Sequence, residues 1–306
     1  MLIGIDHGNY AIKTPGTEFV AGLKEHSVKP PISDEVLSYN GLYYTLTGKR
    51  ISYMRDKTRD DRYFILTLFA IAKELDKAGR HGAIEDIQLA VGLPPEHYGT
   101  LREKFADYFK DRGVIEYYVG NQFYRIMIKD VFVFPQAYAA VAPRSDMIVK
   151  TVMVFIVDIG GYTTDVLLLR NGKPDLEYCM SLETGIITMN NEIIRKVNTL
   201  HDMKIEDDHI RAVIMGEDVM LPDEIRKTIS EQAYEHANGI LDQLRELQVD
   251  LRANPAIFLG GGSLVLKKYI KESPLVMMAD FIEDSHANAI GYQMLAENLL
   301  HNKSGR

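Results

Sequence analysis

The 306-residue sequence predicts an α/β fold arranged as two lobes. Three observations predict it. An apolar strand that ends in aspartate, turns through glycine and returns as a strand occurs at residues 2–13 and again at 152–170. Around these two repeats, short apolar runs alternate with segments whose apolar residues recur at helical spacing, the mark of strands layered with helices. The chain is also longer than the ~100 to 200 residues of a common single domain. A lobe boundary is expected near residues 143–147, which gives an N-terminal lobe over 1–145 and a C-terminal lobe over 146–284. A final helix over 285–306 is expected to pack back on the first lobe.

The elements follow in order. Leu2-Ile3-Gly4-Ile5-Asp6 reads as a strand, and His7-Gly8-Asn9 as a tight reversal. Strands are expected over 17–27 and 35–46, the second broken by Asn40-Gly41, a pair that tolerates positive φ and so favours a two-residue hairpin turn. Phe64, Ile65, Leu68, Phe69, Ile71, Ala72 and Leu75 share one helical face, so a helix is expected over 60–75, ended by Gly79 and Gly82. Residues 87–92 read as a buried strand stopped by Pro94-Pro95. A helix over 101–109 and a strand pair over 114–133 follow, and Phe134–Ala140 is expected to begin another helix. In the second lobe, 152–157 is a continuous apolar strand entering Asp158, with 165–170 its return, Asn171-Gly172 the outer turn and 176–180 a further strand. Helices are expected over 186–198, 223–247, 263–271 and 285–300, with a strand over 256–259.

Composition narrows the function classes. Hydrophobic residues make up 46% and charged residues 25%, which supports folded cores and argues against long disordered stretches. A net charge of -8 gives nucleic acid no general attraction, so no direct nucleic-acid binding is expected. Cys179 is the single cysteine and cannot form an intrachain disulfide, in keeping with a reducing, cytoplasmic location. The apolar runs at 64–72 and 152–157 fall short of the ~20 residues that span a bilayer, so no membrane role is expected. The nine histidines form no His-Glu-x-x-His pattern, and Thr47-Gly48-Lys49-Arg50 lacks P-loop spacing. Glu206-Asp207-Asp208 reads as a solvated face or a helix start.

Three segments carry chemistry. In Asp158-Ile159-Gly160-Gly161-Tyr162-Thr163-Thr164-Asp165, bare glycine backbone and hydroxyls can approach an anion. The Asp158 carboxylate would repel phosphate without a cation, so it reads as a Mg²⁺ holder acting through water. A plain hairpin is the alternative. In Asp6-His7-Gly8-Asn9-Tyr10-Ala11-Ile12-Lys13, Asp6 can complete the metal environment, Gly8 and Asn9 can donate to phosphate, and Lys13 can neutralise outer phosphate charge. An ordinary turn with a solvated Lys13 is again the alternative. Gly260-Gly261-Gly262-Ser263 takes an apolar strand into a helix with Ser263 as its cap, where a ring or phosphate could lie on backbone. It does not fit G-x-G-x-x-G.

In this order, the segments at 5–13, 157–166 and 257–264 resemble the phosphate 1, phosphate 2 and adenosine motifs of the actin superfamily, whose members include sugar kinases and heat-shock chaperones. Residues 134–142 are similar to its first connecting helix and Ala287-Asn288-Ala289-Ile290-Gly291 to its second. Within the superfamily, residues 87–94, the Tyr39–Tyr44 meander and the Phe64–Leu75 helix look like the ParM and StbA plasmid actins. The resemblance implies a two-lobed actin-like (ribonuclease H-like) fold with a mixed sheet flanked by helices in each lobe, and ATP, with GTP as the alternative, held with Mg²⁺ in a cleft between.

It implies Asp6 and Asp158 as metal residues. Gly8, Asn9, Tyr10, Lys13, Gly160, Gly161, Tyr162, Thr163, Gly260, Gly261, Gly262 and Ser263 become nucleotide contacts. Gly185 joins them as a point of close ribose or phosphate approach, with a helix-entry role equally open. Gln136 and Asp158 become the catalytic pair, Gln136 orienting the attacking water because an amide is too weak a base to deprotonate it. ParM carries glutamate at the position of Gln136, a departure that bears on the hydrolysis rate. Asp165 could assist or merely complete the hairpin. The expected function is an ATPase that self-associates into nucleotide-dependent filaments and moves plasmid or phage DNA through a separate DNA-binding adaptor. A small-molecule kinase and a non-hydrolysing, nucleotide-regulated adaptor are the alternatives.

Overall fold

The computed structural model describes residues 1–31, 35–82, 84–110, 112–144 and 151–304. The chain forms two compact units, Met1–Pro143 with His286–Arg306, and Arg144–Ser285. The boundary expected at 145/146 lies outside the described residues.

In the first unit, β1 (Leu2–His7) is buried at Ile3, Ile5 and His7 and turns back to pair antiparallel with β2 (Ala11–Lys13), which sets Asp6 opposite Lys13. The chain continues through β3 (Glu18–Val20), β4 (Leu23–His26), β5 (Val36–Tyr39) and β6 (Leu42–Leu46). Asn40 and Gly41 join β5 to β6 with φ of 49° and 78°, the paired positive values of a tight hairpin turn. β7 (Glu85–Leu93) is continuously buried from Leu89 to Leu93 because it lies inside the sheet, parallel to β1 on one side and to β9 (Gln122–Pro135) on the other. β8 (Val114–Val119) instead alternates buried Ile115 and Tyr117 with exposed neighbours. The described strands form one nine-stranded sheet, β3-β2-β1-β7-β9-β8-β5-β6-β4.

α1 (Arg62–Lys77) is buried at every residue from Tyr63 to Ala72, and its apolar side chains build the core with Ile3, Ile5, Leu89 and Val91. Two expectations are corrected here. α2 (Pro95–Phe109) begins at Pro95 rather than at residue 101, because proline at a helix start forfeits no needed N–H and the first turns bury too little to show a stripe. The helix expected from Phe134 is only α3 (Tyr138–Val141), followed by a 3₁₀ turn, Ala142–Arg144. β9 stays paired with β7 as far as Pro135 opposite Leu93, so no helix can start before the chain leaves the sheet.

In the second unit, β10 (Met153–Ile159) is buried from Val154 onward and pairs antiparallel with β11 (Thr164–Arg170), which pairs with β12 (Lys173–Leu182). On its other side β10 runs parallel to β13 (Ala256–Leu259), and β13 to β14 (Ala279–Phe281), giving the order β12-β11-β10-β13-β14. α4 (Ile186–His201) and α6 (Asp223–Glu246) cover the sheet with Ile193, Val197, Ile229 and Ile240 against Phe155 and Val157. Glu206-Asp207-Asp208 opens α5 (Asp207–Met215), where Glu206 and His209 form a reciprocal cap. The helix expected over 263–271 is two short ones, α7 (Gly261–Val265) and α8 (Lys267–Glu272), broken at Leu266.

The last helix, α9 (Ala287–Ser304), belongs to the first unit and packs on α3, β1 and β7. Its seat is backbone-close: a Cβ at Gly291 would lie 1.9 Å from the Ala139 carbonyl, and one at Gly92 would lie 1.9 Å from the Tyr292 hydroxyl. Among the described residues, no helix is long and apolar enough to cross a membrane.

Candidate functional site

The first unit gathers Asp6, Gly8, Asn9, Tyr10, Lys13 and Gln136 around the β1–β2 turn. Gln136 is buried; its backbone N–H donates to the Leu93 carbonyl at 2.8 Å and its Nε2 donates to Asp6 Oδ1 at 3.1 Å. Burial pushes the Asp6 carboxyl up, while Lys13, Lys57 and the Gln136 bond pull it down. Lys13 lies 3.6 Å from Glu18. Tyr10 is exposed and has the Arg50 guanidinium 4.8 Å over its ring. Gly8 is required by the turn, since a Cβ there would sit 2.6 Å from the Ala11 carbonyl.

Directly after Gln136 the backbone is strained. Ala137 has φ 62° and ψ -51°, and the Tyr138 N–H reaches back to the Gln136 carbonyl at 2.6 Å, closing a γ-turn of the rare positive-φ kind. The Ala137 N–H donates to Asn288 Oδ1 at 3.1 Å, so the first turn of α9 helps to hold this conformation. Gln136 therefore precedes α3 rather than lying within it. Strain of this kind is retained where the surroundings over-determine it, and it concentrates at functional positions.

Beneath the same turn lies a polar cluster that sequence reasoning missed. Lys57 is 7% exposed and its Nζ donates to the His7 carbonyl. His7 is wholly buried; its Nε2 lies 2.7 Å from Thr67 Oγ1, whose own hydroxyl donates to the Tyr63 carbonyl. Thr67 therefore accepts, which fixes the proton of His7 on Nε2. Burial and the neighbouring Lys57 charge lower the His7 pKa to about 3. Lys57 sits in the charge-rich Met54–Asp61 segment, whose composition gives no sign of a buried side chain. Polar Thr67 within the apolar stripe of α1 was the one available signal.

In the second unit, segments far apart in sequence meet at one end of the sheet. Asp158 and Asp165 are both buried and face each other across the β10–β11 ladder, and Thr163 Oγ1 donates to Asp165 Oδ2 at 3.1 Å. The turn closes with the Gly160 N–H on the Thr163 carbonyl at 2.8 Å. α4 starts on this turn: the Ile186 and Ile187 N–H groups donate to the Gly160 and Gly161 carbonyls at 3.2 and 2.7 Å. Gly185 lets the two approach, because a Cβ there would lie 2.5 Å from the Tyr162 carbonyl carbon.

The three glycines after β13 divide their work. Gly260 has φ 84°, and a Cβ on it would fall 2.3 Å from Asp158 Oδ1 and 2.5 Å from the Ile159 carbonyl. At Gly262 it would meet Ile159 and Ile186 at 2.6 to 2.7 Å, whereas at Gly261 nothing lies within 4 Å. Gly260 thus packs the turn against Asp158, Gly262 packs it against Ile159 and Ile186, and Gly261 leaves open backbone. The cap expected from Ser263 is corrected: α7 starts at Gly261 behind Gly260, and the buried Ser263 hydroxyl donates to the Gly260 carbonyl at 2.9 Å.

Each unit carries a match to a known family. The family described as "Actin like proteins N terminal domain" matches residues 4–138, and "Archaeal actin homologue MreB-like, C-terminal" matches residues 156–272. The chain belongs to the actin-like superfamily. Its fold is similar to that of Ta0583, an archaeal actin homologue, with a TM-score of 0.76 at 21% identity over 97% of this chain and 99% of the other. The ADP complex of Ta0583 is similar at TM-score 0.74 and 19% identity with the same coverage. A 15-stranded ParM filament from Clostridium botulinum is similar at TM-score 0.75 and 17% identity, over 97% of this chain and 99% of that one. No curated protein sequence matches the chain.

The residues of this actin-like chain can be tested against a metal. Among the described residues, no group of three or more His, Cys, Asp or Glu side chains could hold an ion by itself. Each unit instead offers an aspartate at a glycine turn. That donor set suits Mg²⁺, which keeps several waters and needs one or two carboxylates alongside phosphate oxygens.

Proposed function

We propose that this actin-like chain is a Mg²⁺-dependent ATPase that self-associates into filaments in response to nucleotide. One observation carries the reading: in the second unit Asp158, the Gly160–Thr163 turn, the start of α4 at Gly185 and the Gly260–Ser263 segment converge on one place, with Gly260 against the Asp158 carboxylate. The ADP complex of Ta0583 and the ParM filament lend support.

In this reading Asp158 and Asp6 act on the hydrated Mg²⁺ of the nucleotide. Bound Mg²⁺ supplies charge neutralisation for the phosphates. Gly8, Asn9 and Lys13 bind phosphate from the first unit; Gly160, Gly161, Tyr162 and Thr163 bind it from the second. Open backbone at Gly261, set by Gly260, Gly262 and Ser263, and the Gly185 seat serve the nucleoside end. Gln136, held through Asp6 and its strained neighbour, orients water for attack on the terminal phosphate. Tyr10 lies at the exposed margin of the turn. Head-to-tail association need not close on itself and so yields filaments, which would draw plasmid or phage DNA through an adaptor in the cytoplasm.

The test is sedimentation and negative-stain microscopy of the purified chain with Mg²⁺ plus ATP, GTP, ADP or no nucleotide. Filaments that appear with a triphosphate and disperse as phosphate is released are expected. A chain that stays monomeric at high concentration in all four conditions contradicts the proposal.

A further inference from the structure

Tyr63 is wholly buried in the first turn of α1, and its hydroxyl donates to Asn9 Oδ1 at 3.2 Å. Its ring carries the Lys57 ammonium 5.4 Å from the centroid, and its backbone carbonyl accepts from Thr67. Lys57 in turn holds the His7 carbonyl and Thr67 holds the His7 ring. A lattice of side chains thus grips residues 7–9 from below. Asn9, which accepts from the Tyr63 hydroxyl, is itself half-buried.

An asparagine amide has a carbonyl at one end and its only donors at the other. Tying Oδ1 to a buried hydroxyl leaves Nδ2 for whatever meets the turn from outside. We infer that Tyr63 is a positioning residue for an anionic ligand of the β1–β2 turn: it locks the Asn9 amide so that Nδ2, rather than the repelling carbonyl, faces a phosphate group. Burial raises the Tyr63 pKa, so its hydroxyl stays protonated and keeps donating. Packing alone does not call for the hydroxyl, because phenylalanine would fill the same space and Asn9, being half-exposed, could take its hydrogen bond from water. The inference rests on nucleotide binding as proposed above.

The experiment is a double-mutant cycle on Mg²⁺-ATP affinity with Tyr63→Phe, Asn9→Ala and both together. Tyr63→Phe is expected to weaken binding about 3- to 10-fold in the wild-type background, and less than about 2-fold in Asn9→Ala, as one lost hydrogen bond predicts. Equal weakening in both backgrounds, or none in either, overturns it. A second readout works in the unaltered chain: the Asn9 side-chain amide resonance, assigned by its loss in Asn9→Ala, should shift on saturation with Mg²⁺-ATP. An unmoved resonance in a chain that binds ATP overturns the role of Asn9 while leaving the proposed function intact. A wild-type chain that binds no nucleotide overturns both.

Discussion

Replacing the glycines after β13 one at a time separates packing from ligand contact. At Gly260, φ 84° with ψ 157° lies in a region that only glycine occupies readily, at a cost of about 1 to 3 kcal/mol for alanine. The added Cβ would also fall 2.3 Å from Asp158 Oδ1 and 2.5 Å from the Ile159 carbonyl. The carboxylate can swing away, but the strand carbonyl cannot without moving β10, which adds an overpacking cost of about 1 to 3 kcal/mol. Gly260→Ala should therefore destabilise the second unit by about 2 to 6 kcal/mol. Gly262→Ala carries only the overpacking, about 1 to 3 kcal/mol, against Ile159 and Ile186. Gly261→Ala meets nothing within 4 Å and should stay within about 0.5 kcal/mol of wild type. Urea unfolding of the three variants reads the order directly. If Gly261 serves as open backbone for a ligand, its variant alone should keep full stability and lose nucleotide affinity. Equal stability across all three, or a Gly261 variant as unstable as that of Gly260, refutes the reasoning.

Two further outcomes follow from the first unit. The His7 pKa of about 3, against 6.5 for the unconstrained ring, means that below pH 6.5 the unfolded chain takes up a proton that the folded chain refuses. The contribution of His7 is thus complete above pH 6.5 and declines as pH falls, by about 2 kcal/mol at pH 5. Chemical unfolding at pH 7 and pH 5 should show that loss in wild type relative to His7→Gln. The raised Asp6 pKa acts in the opposite direction but is shared by both chains, so parallel pH curves would argue against a buried neutral histidine. Gln136→Ala should leave ATP affinity within a few-fold while slowing phosphate release by about 10²-fold; unchanged turnover would remove Gln136 from the water-orienting role.

What the sequence disclosed was what local pattern controls. The β10–β11 hairpin was readable because an uninterrupted apolar run enters Asp158 and glycine follows, and the β5–β6 turn because Asn40-Gly41 names its own geometry. α1 was readable from its stripe, and the structure places it two residues further along than the expected 60–75. Elements set by distant partners were not. α3 shrank because β9 remains bonded to β7 through Pro135, and β14 has only three residues, defined by pairing with β13. The start of α2 was hidden because Phe105 and Phe109 anchor its far end while most of its first turns face solvent.

The site divides the same way. Contiguous turns at Asp6 and Asp158 were visible, but the Gln136–Asp6 bond joins residues 130 positions apart. Lys57, Tyr63 and Thr67 acquire their roles only when the loop after β6 and the start of α1 fold under the β1–β2 turn. Ser263 shows the reverse error: its spacing suits a cap, yet the positive φ of Gly260 starts the helix early and turns the hydroxyl inward.

Calorimetric titration of ATP, with and without Mg²⁺, into wild type and Asp158→Ala bears most directly on whether this chain works as a metal-nucleotide machine. One saturable, Mg²⁺-dependent site in wild type, weakened at least about tenfold in the variant, is the predicted result. No binding by wild type, or equal affinity in the two chains, would contradict it.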